Sequence, residues 1–196
     1  MRNWVRLLMI MAAVCLLAGC GTASVPERNT VSVQKDGTIR QTIVDQFEQN
    51  YYDAGELEAM AQEKIGRYGG GSGTIVCNSV KADDGDVIVQ MTYQAGADYT
   101  AFNKRELFCG TVEEAAAQGY SLQDLVKEDG TAIGEDGISA ISANHIIIIE
   151  TKAGEEMAVN VYDKILYTSG DVTISGKKDV MIPAGETDLL SCIVFR

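Results

Sequence analysis

From Val31 onward the chain alternates apolar and polar positions in short runs broken by turn residues, the signature of strands half-buried against a core. Val31 and Val33 alternate with polar neighbours, Asp36-Gly37 is a strong turn signal, and Ile39 to Val44 resumes the pattern, which predicts a hairpin over 31–47. The spacing then changes. Leu57, Met60, Ala61, Ile65 and Tyr68 recur at helical intervals, Asp53 and Glu56 form a D-x-x-E start, and Gly69 stands where a C-terminal cap glycine belongs. Thr74 to Ala82 and Asp86 to Gln94 predict a second hairpin, rich in Val, Ile and Thr. A short helix is expected near Asp98 to Glu106 with Tyr99, Phe102 and Leu107 inward, followed by a brief strand over Leu107 to Gly110.

Thr111-Val112-Glu113-Glu114 is a capping box opening a helix through Ala117, with Gly119 to end it. Ser121 to Asp124 predicts a further helix start with Leu122, Leu125 and Val126 on its apolar side, and Asp129 to Gly137 reads as a loop. The last third is mainly β. His145 to Thr151 holds four consecutive isoleucines and must be buried on both faces, or nearly so. Met157 to Val161, Lys164 to Thr168, Val172 to Ile174, Asp179 to Ile182 and Leu189 to Phe195 supply more short strands, and Pro183 to Glu186 turns the chain. Short strands joined by tight turns favour antiparallel pairing over crossovers. The expected fold class is α+β: one β-rich domain of mostly antiparallel short strands with two to four helices.

Ahead of this domain the pattern is of another kind. Arg2 and Arg6 precede an unbroken apolar run, Leu7 to Leu17, which is too short to span a bilayer comfortably and ends in small residues. Gly21 to Thr30 is small and polar with Pro26, and reads as a flexible tether. The chain therefore divides into a cleaved signal peptide (1–19), a tether (20–30) and a single domain (31–196), with no internal repeat or further boundary.

The chain carries 16 basic and 28 acidic residues, a net charge of −12; removing Arg2 and Arg6 with the signal leaves −14. An acidic surface repels nucleic acid, so no nucleic-acid partner is expected. Past Cys20 the cysteines are Cys77, Cys109 and Cys192, an odd number that permits at most one internal disulfide. Three buried free thiols acting as small apolar groups is the simpler reading.

The candidate chemistry is sparse. Gly69-Gly70-Gly71-Ser72-Gly73 follows a predicted helix and precedes a strand, the reverse of a phosphate loop, and reads as a connection. Asp83-Asp84-Gly85-Asp86 and Glu135-Asp136-Gly137 lack the alternating ligand spacing of a calcium loop and read as solvated turns. His145 is the only histidine, so any Ser-His-Asp or Cys-His site would need it, and no nucleophile signature accompanies it. No catalytic residue, metal ligand or cofactor is assigned. Two carboxylates brought together by the fold would be another route to a hydrolase.

Leu17-Ala18-Gly19-Cys20 resembles the lipobox of bacterial lipoproteins, position by position. The resemblance implies cleavage between Gly19 and Cys20 and a diacylglyceryl thioether on the Cys20 thiol. Two acyl chains make attachment long-lived where one gives only marginal binding. The stretches Phe47…Tyr51-Tyr52-Asp53…Glu56-Leu57, Tyr99…Phe102-Asn103 and Ile165-Leu166-Tyr167-Thr168-Ser169 are similar to uncharacterised bacterial surface lipoproteins, a family that implies no activity. The expectation is an extracytoplasmic lipoprotein held to the cell membrane through Cys20, with a non-catalytic binding or scaffolding domain and an envelope protein or polymer as partner. The alternatives are an envelope hydrolase using a carboxylate pair, or a small-solute receptor.

Overall fold

A computed structural model describes residues 28–46, 53–68, 73–83 and 85–196. The signal segment, Gly19, Cys20, most of the tether, Phe47, Tyr51, Tyr52 and the glycine run 69–72 lie outside the described residues. In chain order the elements are β1 (Thr30–Val33), β2 (Ile39–Gln46), α1 (Ala54–Tyr68), β3 (Ile75–Asp83), β4 (Asp86–Tyr93), α2 (Gly96–Asn103), β5 (Leu107–Thr111), α3 (Val112–Ala117), β6 (Leu125–Val126), α4 (Glu135–Ala140), β7 (His145–Thr151), β8 (Met157–Asn160), β9 (Ile165–Ser169), β10 (Thr173–Ile174), β11 (Asp179–Ile182) and β12 (Leu189–Phe195). The strands form a seven-stranded sheet, β10-β11-β8-β1-β2-β4-β3, and a five-stranded sheet, β5-β7-β12-β9-β6. All described pairings are antiparallel except β1 with β8, where Thr30 lies opposite Ala158.

The alternation seen in the sequence explains the layering. Val31, Val33, Ile39, Met91, Tyr93, Met157, Val159, Val180 and Ile182 point from the larger sheet into one core, where they meet Leu107, Ile147, Ile149, Ile193 and Phe195 of the smaller sheet. Ile146, Ile148, Cys192 and Val194 point the other way, into a second core closed by Val112, Ala115, Leu122, Leu125, Ile133 and Ile141. The isoleucine strand is thus buried on both faces, with Ile146 to Ile149 each at most 1% exposed. The order is sheet, sheet, then a layer of short helices and loop, and the class is α+β, as the patterning required.

Local chemistry accounts for the element ends. Thr38 N donates to Asp36 Oδ1 at 3.0 Å in the first turn, and Glu56 N donates to Asp53 Oδ1 at 3.0 Å at the start of α1. The capping box of α3 is complete, with Thr111 and Glu114 satisfying one another's backbone N–H. Its C-terminus is a Schellman turn: Tyr120 N reaches Ala115 O at 3.1 Å and Gly119 N reaches Ala116 O at 3.0 Å. Gly119 has φ +88°. A Cβ there is strained although nothing crowds it, so Gly119→Ala should cost about 1–2 kcal/mol, read as a lowered melting temperature.

Three expectations need correction. Ser121 to Asp124 starts no helix: the segment runs into β6, where Leu125 pairs with Ser169, because Leu122 and Leu125 are both drawn into the second core. The loop over 129–137 ends early, since α4 begins at Glu135. On α1, Met60 is 60% exposed, and only Ala61, Ile65 and Tyr68 lean on the core. The apolar stripe of that helix is narrower than its spacing suggested.

Candidate functional site

The residues singled out by sequence are mostly scattered. His145, at the start of β7, is exposed and stacks on Phe195, centroids 5.6 Å apart, with Tyr162 edge-on at 5.5 Å. It shares a cavity of 200 Å³ with Cys109, the one place where the fold brings a cysteine and the histidine together. Burial pushes the Cys109 thiol up to about 12, so it is protonated at neutral pH and a poor nucleophile. Burial likewise raises Cys77 and takes Cys192 to about 11. All three are free thiols.

The fold does gather carboxylates, at the end of the molecule where β1 begins. Lys152 Nζ bridges Glu150 and Asp188, the latter at 2.9 Å. Glu150 also accepts from Glu106 N at 2.9 Å, Asp188 from Ala153 N at 3.0 Å, and Glu106 from the Tyr120 hydroxyl at 2.5 Å. The Lys152 hydrogen bond holds the Glu150 carboxyl below the usual range and does the same to Asp188, while the hydrogen bonds to Glu150 and Asp188 raise the Lys152 ammonium above its ordinary value. An acid–base pair needs its two groups pushed apart, one of them protonated at neutral pH. This pair is pulled the same way, so its role is a clamp. The carboxylates contribute fully above their ordinary values near 4 and lose that contribution as pH falls through the lower folded ones; the lysine contribution is lost only well above pH 10. Taking the protein from pH 5 to pH 3 should therefore lower the melting temperature of the wild type more than that of Lys152→Met. An equal drop in both would remove the clamp.

Next to this clamp lies a cavity of 180 Å³ lined by Asn29, Thr30, Gln41, Thr42, Lys64, Asn103, Arg105, Glu155 and Met157, among others. Sequence reasoning missed it. Its central residue is Gln41, only 8% exposed, on the inward face of β2 between Ile39 and Ile43. The orientation of its amide follows from a relay. Asn103 Nδ2 donates to the Tyr99 carbonyl at 3.2 Å, and a carbonyl can only accept. The same nitrogen donates to Tyr93 Oη at 3.1 Å. Tyr93, which burial pushes up to about 12, therefore directs its one proton to Gln41 Oε1, at 2.8 Å. That leaves the Gln41 amide nitrogen as a donor with no hydrogen-bond partner among the described residues. Arg105 and Glu155 pair across the wall, and Lys64 Nζ lies 4.2 Å from the Phe102 ring centroid.

No protein-family model matches the chain. No curated protein matches it either. Among solved structures it is similar to the NMR structure of the folded domain of LppM from Mycobacterium tuberculosis, at 10% identity and a TM-score of 0.43, over 86% of this chain and 87% of that one. Similarity at that level transfers neither ligand nor role.

A second concavity, a groove of 680 Å³, runs between β9 and the β10–β11 turn and is lined by Lys127, Lys164 and Lys177 with Tyr167, Glu128 and Asp129. Asp129 is held low by the Thr131 hydroxyl and N–H it caps. Large apolar side chains exposed among the described residues are Met60, Val76 and Leu190, each on a different element. The broad apolar face that a protein-docking role would call for is therefore absent from the described surface. Among the described residues no group of three metal-ligating side chains converges, and no helix is long and apolar enough to cross a membrane.

Proposed function

We propose that the chain is a lipoprotein anchored through Cys20 to the outer face of the cell membrane, with its α+β domain acting as a non-catalytic binding domain beyond a short tether. The observation that carries the anchor is the Leu17-Ala18-Gly19-Cys20 stretch behind Arg2, Arg6 and an unbroken apolar run. The dispersal of Met60, Val76 and Leu190 supports a domain that does not hold a membrane by its own surface. The shared Lys152 clamp weighs against the hydrolase alternative, because Glu150 and Asp188 are both kept as anions. The polar cavity around Gln41 favours a small solute over a protein as the thing bound.

The test is lipid labelling in cells with an alkyne fatty acid, together with mass spectrometry of the N-terminal peptide. The expected wild-type product begins at a diacylglyceryl-modified Cys20, and Cys20→Ser should abolish incorporation completely. Label retained in Cys20→Ser, or an unmodified residue 20 in the wild type, removes the anchor.

A further inference from the structure

We propose that the cavity between β1, β2 and α1 binds a small oxyanion, a carboxylate or phosphate group, with the Gln41 amide nitrogen as the directional donor and Lys64 as the countercharge. This deepens the binding half of the function proposed above and is independent of the anchor. The Tyr99–Asn103–Tyr93 relay turns the Gln41 oxygen inward and leaves its N–H groups to the cavity. Gln41 Nε2 is not among the buried atoms left without a partner; it opens onto the cavity, where an acceptor ligand can take the place of water.

The charge of the lining points the same way. Glu155 gives its Oε2 to Arg105 and to the Lys152 N–H, the latter at 3.3 Å, so those two side chains cancel. Lys64 remains, held over the cavity rim by the Phe102 ring, and the walls carry one net positive charge. On a chain with net charge −12 such a place is local and selective. The volume, 180 Å³, is close to the engineered cavity of about 150 Å³ that accepts benzene. It suits a compact solute and leaves no room for a polymer segment.

The experiment uses the full chain as extracted from cells in an uncharged detergent, titrated with sodium phosphate and separately with sodium acetate at constant ionic strength. The readout is the Gln41 side-chain amide resonance. A saturable shift with at least one anion is expected, and the anion that produces it says whether a phosphate or a carboxylate is preferred. Lys64→Gln should weaken binding at least fivefold, Gln41→Leu should abolish it when read on the Asn103 amide, and Lys177→Gln in the other groove should leave it unchanged. The proposal is overturned by no saturable shift with either anion, by unchanged affinity in Lys64→Gln, or by an equal loss in Lys177→Gln. If Gln41→Leu does not fold, the exposed Lys64→Gln decides alone. Failure here leaves the lipid-labelling result standing, and failure there leaves this one.

Discussion

Ile147→Ala and Ile148→Ala should each lower the unfolding free energy by about 3–4 kcal/mol, within the range for truncating a fully buried isoleucine. Neighbours on one strand point to opposite faces, so in a sheet with one solvated face one of the two changes would be nearly free. Here Ile147 faces the core between the two sheets, and Ile148 faces the core under the α3–α4 layer. Both are 0% exposed. Denaturant titrations of the two variants, with the slope checked for constancy, measure this directly. A cost below about 1 kcal/mol for either would mean that one of the two layers is not packed as described.

Gly96→Ala should be the second most damaging small change, and Gly66→Ala its mirror image. Both glycines are in helices, where alanine is favoured by up to about 1 kcal/mol. A Cβ on Gly66 meets nothing within 4 Å, so that variant should gain most of this amount. A Cβ on Gly96 would lie 2.8 Å from the Leu107 carbonyl oxygen and 2.9 Å from Leu107 Cδ2. Leu107 is held in place by its pairing with Ile149 and by Thr100 Oγ1, which accepts from Leu107 N at 2.9 Å, so the neighbour cannot yield. Overpacking of this kind costs about 1–3 kcal/mol, and the helix preference does not cover it. The two melting temperatures should move in opposite directions; a rise in Gly96→Ala would show that α2 and β5 are not pressed together.

Every strand but β6 was legible, from period-two alternation, β-branched residues or a turn such as Asp36-Gly37. The isoleucine strand was legible down to its double burial, since no solvated face tolerates four such residues in succession. The helix expected at Ser121 failed because its start signal is local, whereas the fate of Leu122 and Leu125 is decided by a core assembled from residues far along the chain. α4 went unseen because Gly134, its N-cap residue, offers no side-chain cap. The cavity was half legible. Gln41 is a polar residue on the apolar face of β2, a break in an otherwise regular pattern that could have been questioned. Its partners could not have been found that way, because Tyr93 is 52 positions away and the Arg105–Glu155 pair spans 50. No periodicity encodes such meetings.

The one parallel pairing sets the timing of assembly. β1 is bonded on one flank to its hairpin partner β2, and on the other to β8 through Thr30–Ala158 and Ser32–Asn160. The earliest of the described strands therefore waits for a late one before the middle of the large sheet can close. Contacts of such sequence separation form slowly, so a nascent chain halted before Ala158 holds β1 by a single ladder and stays open.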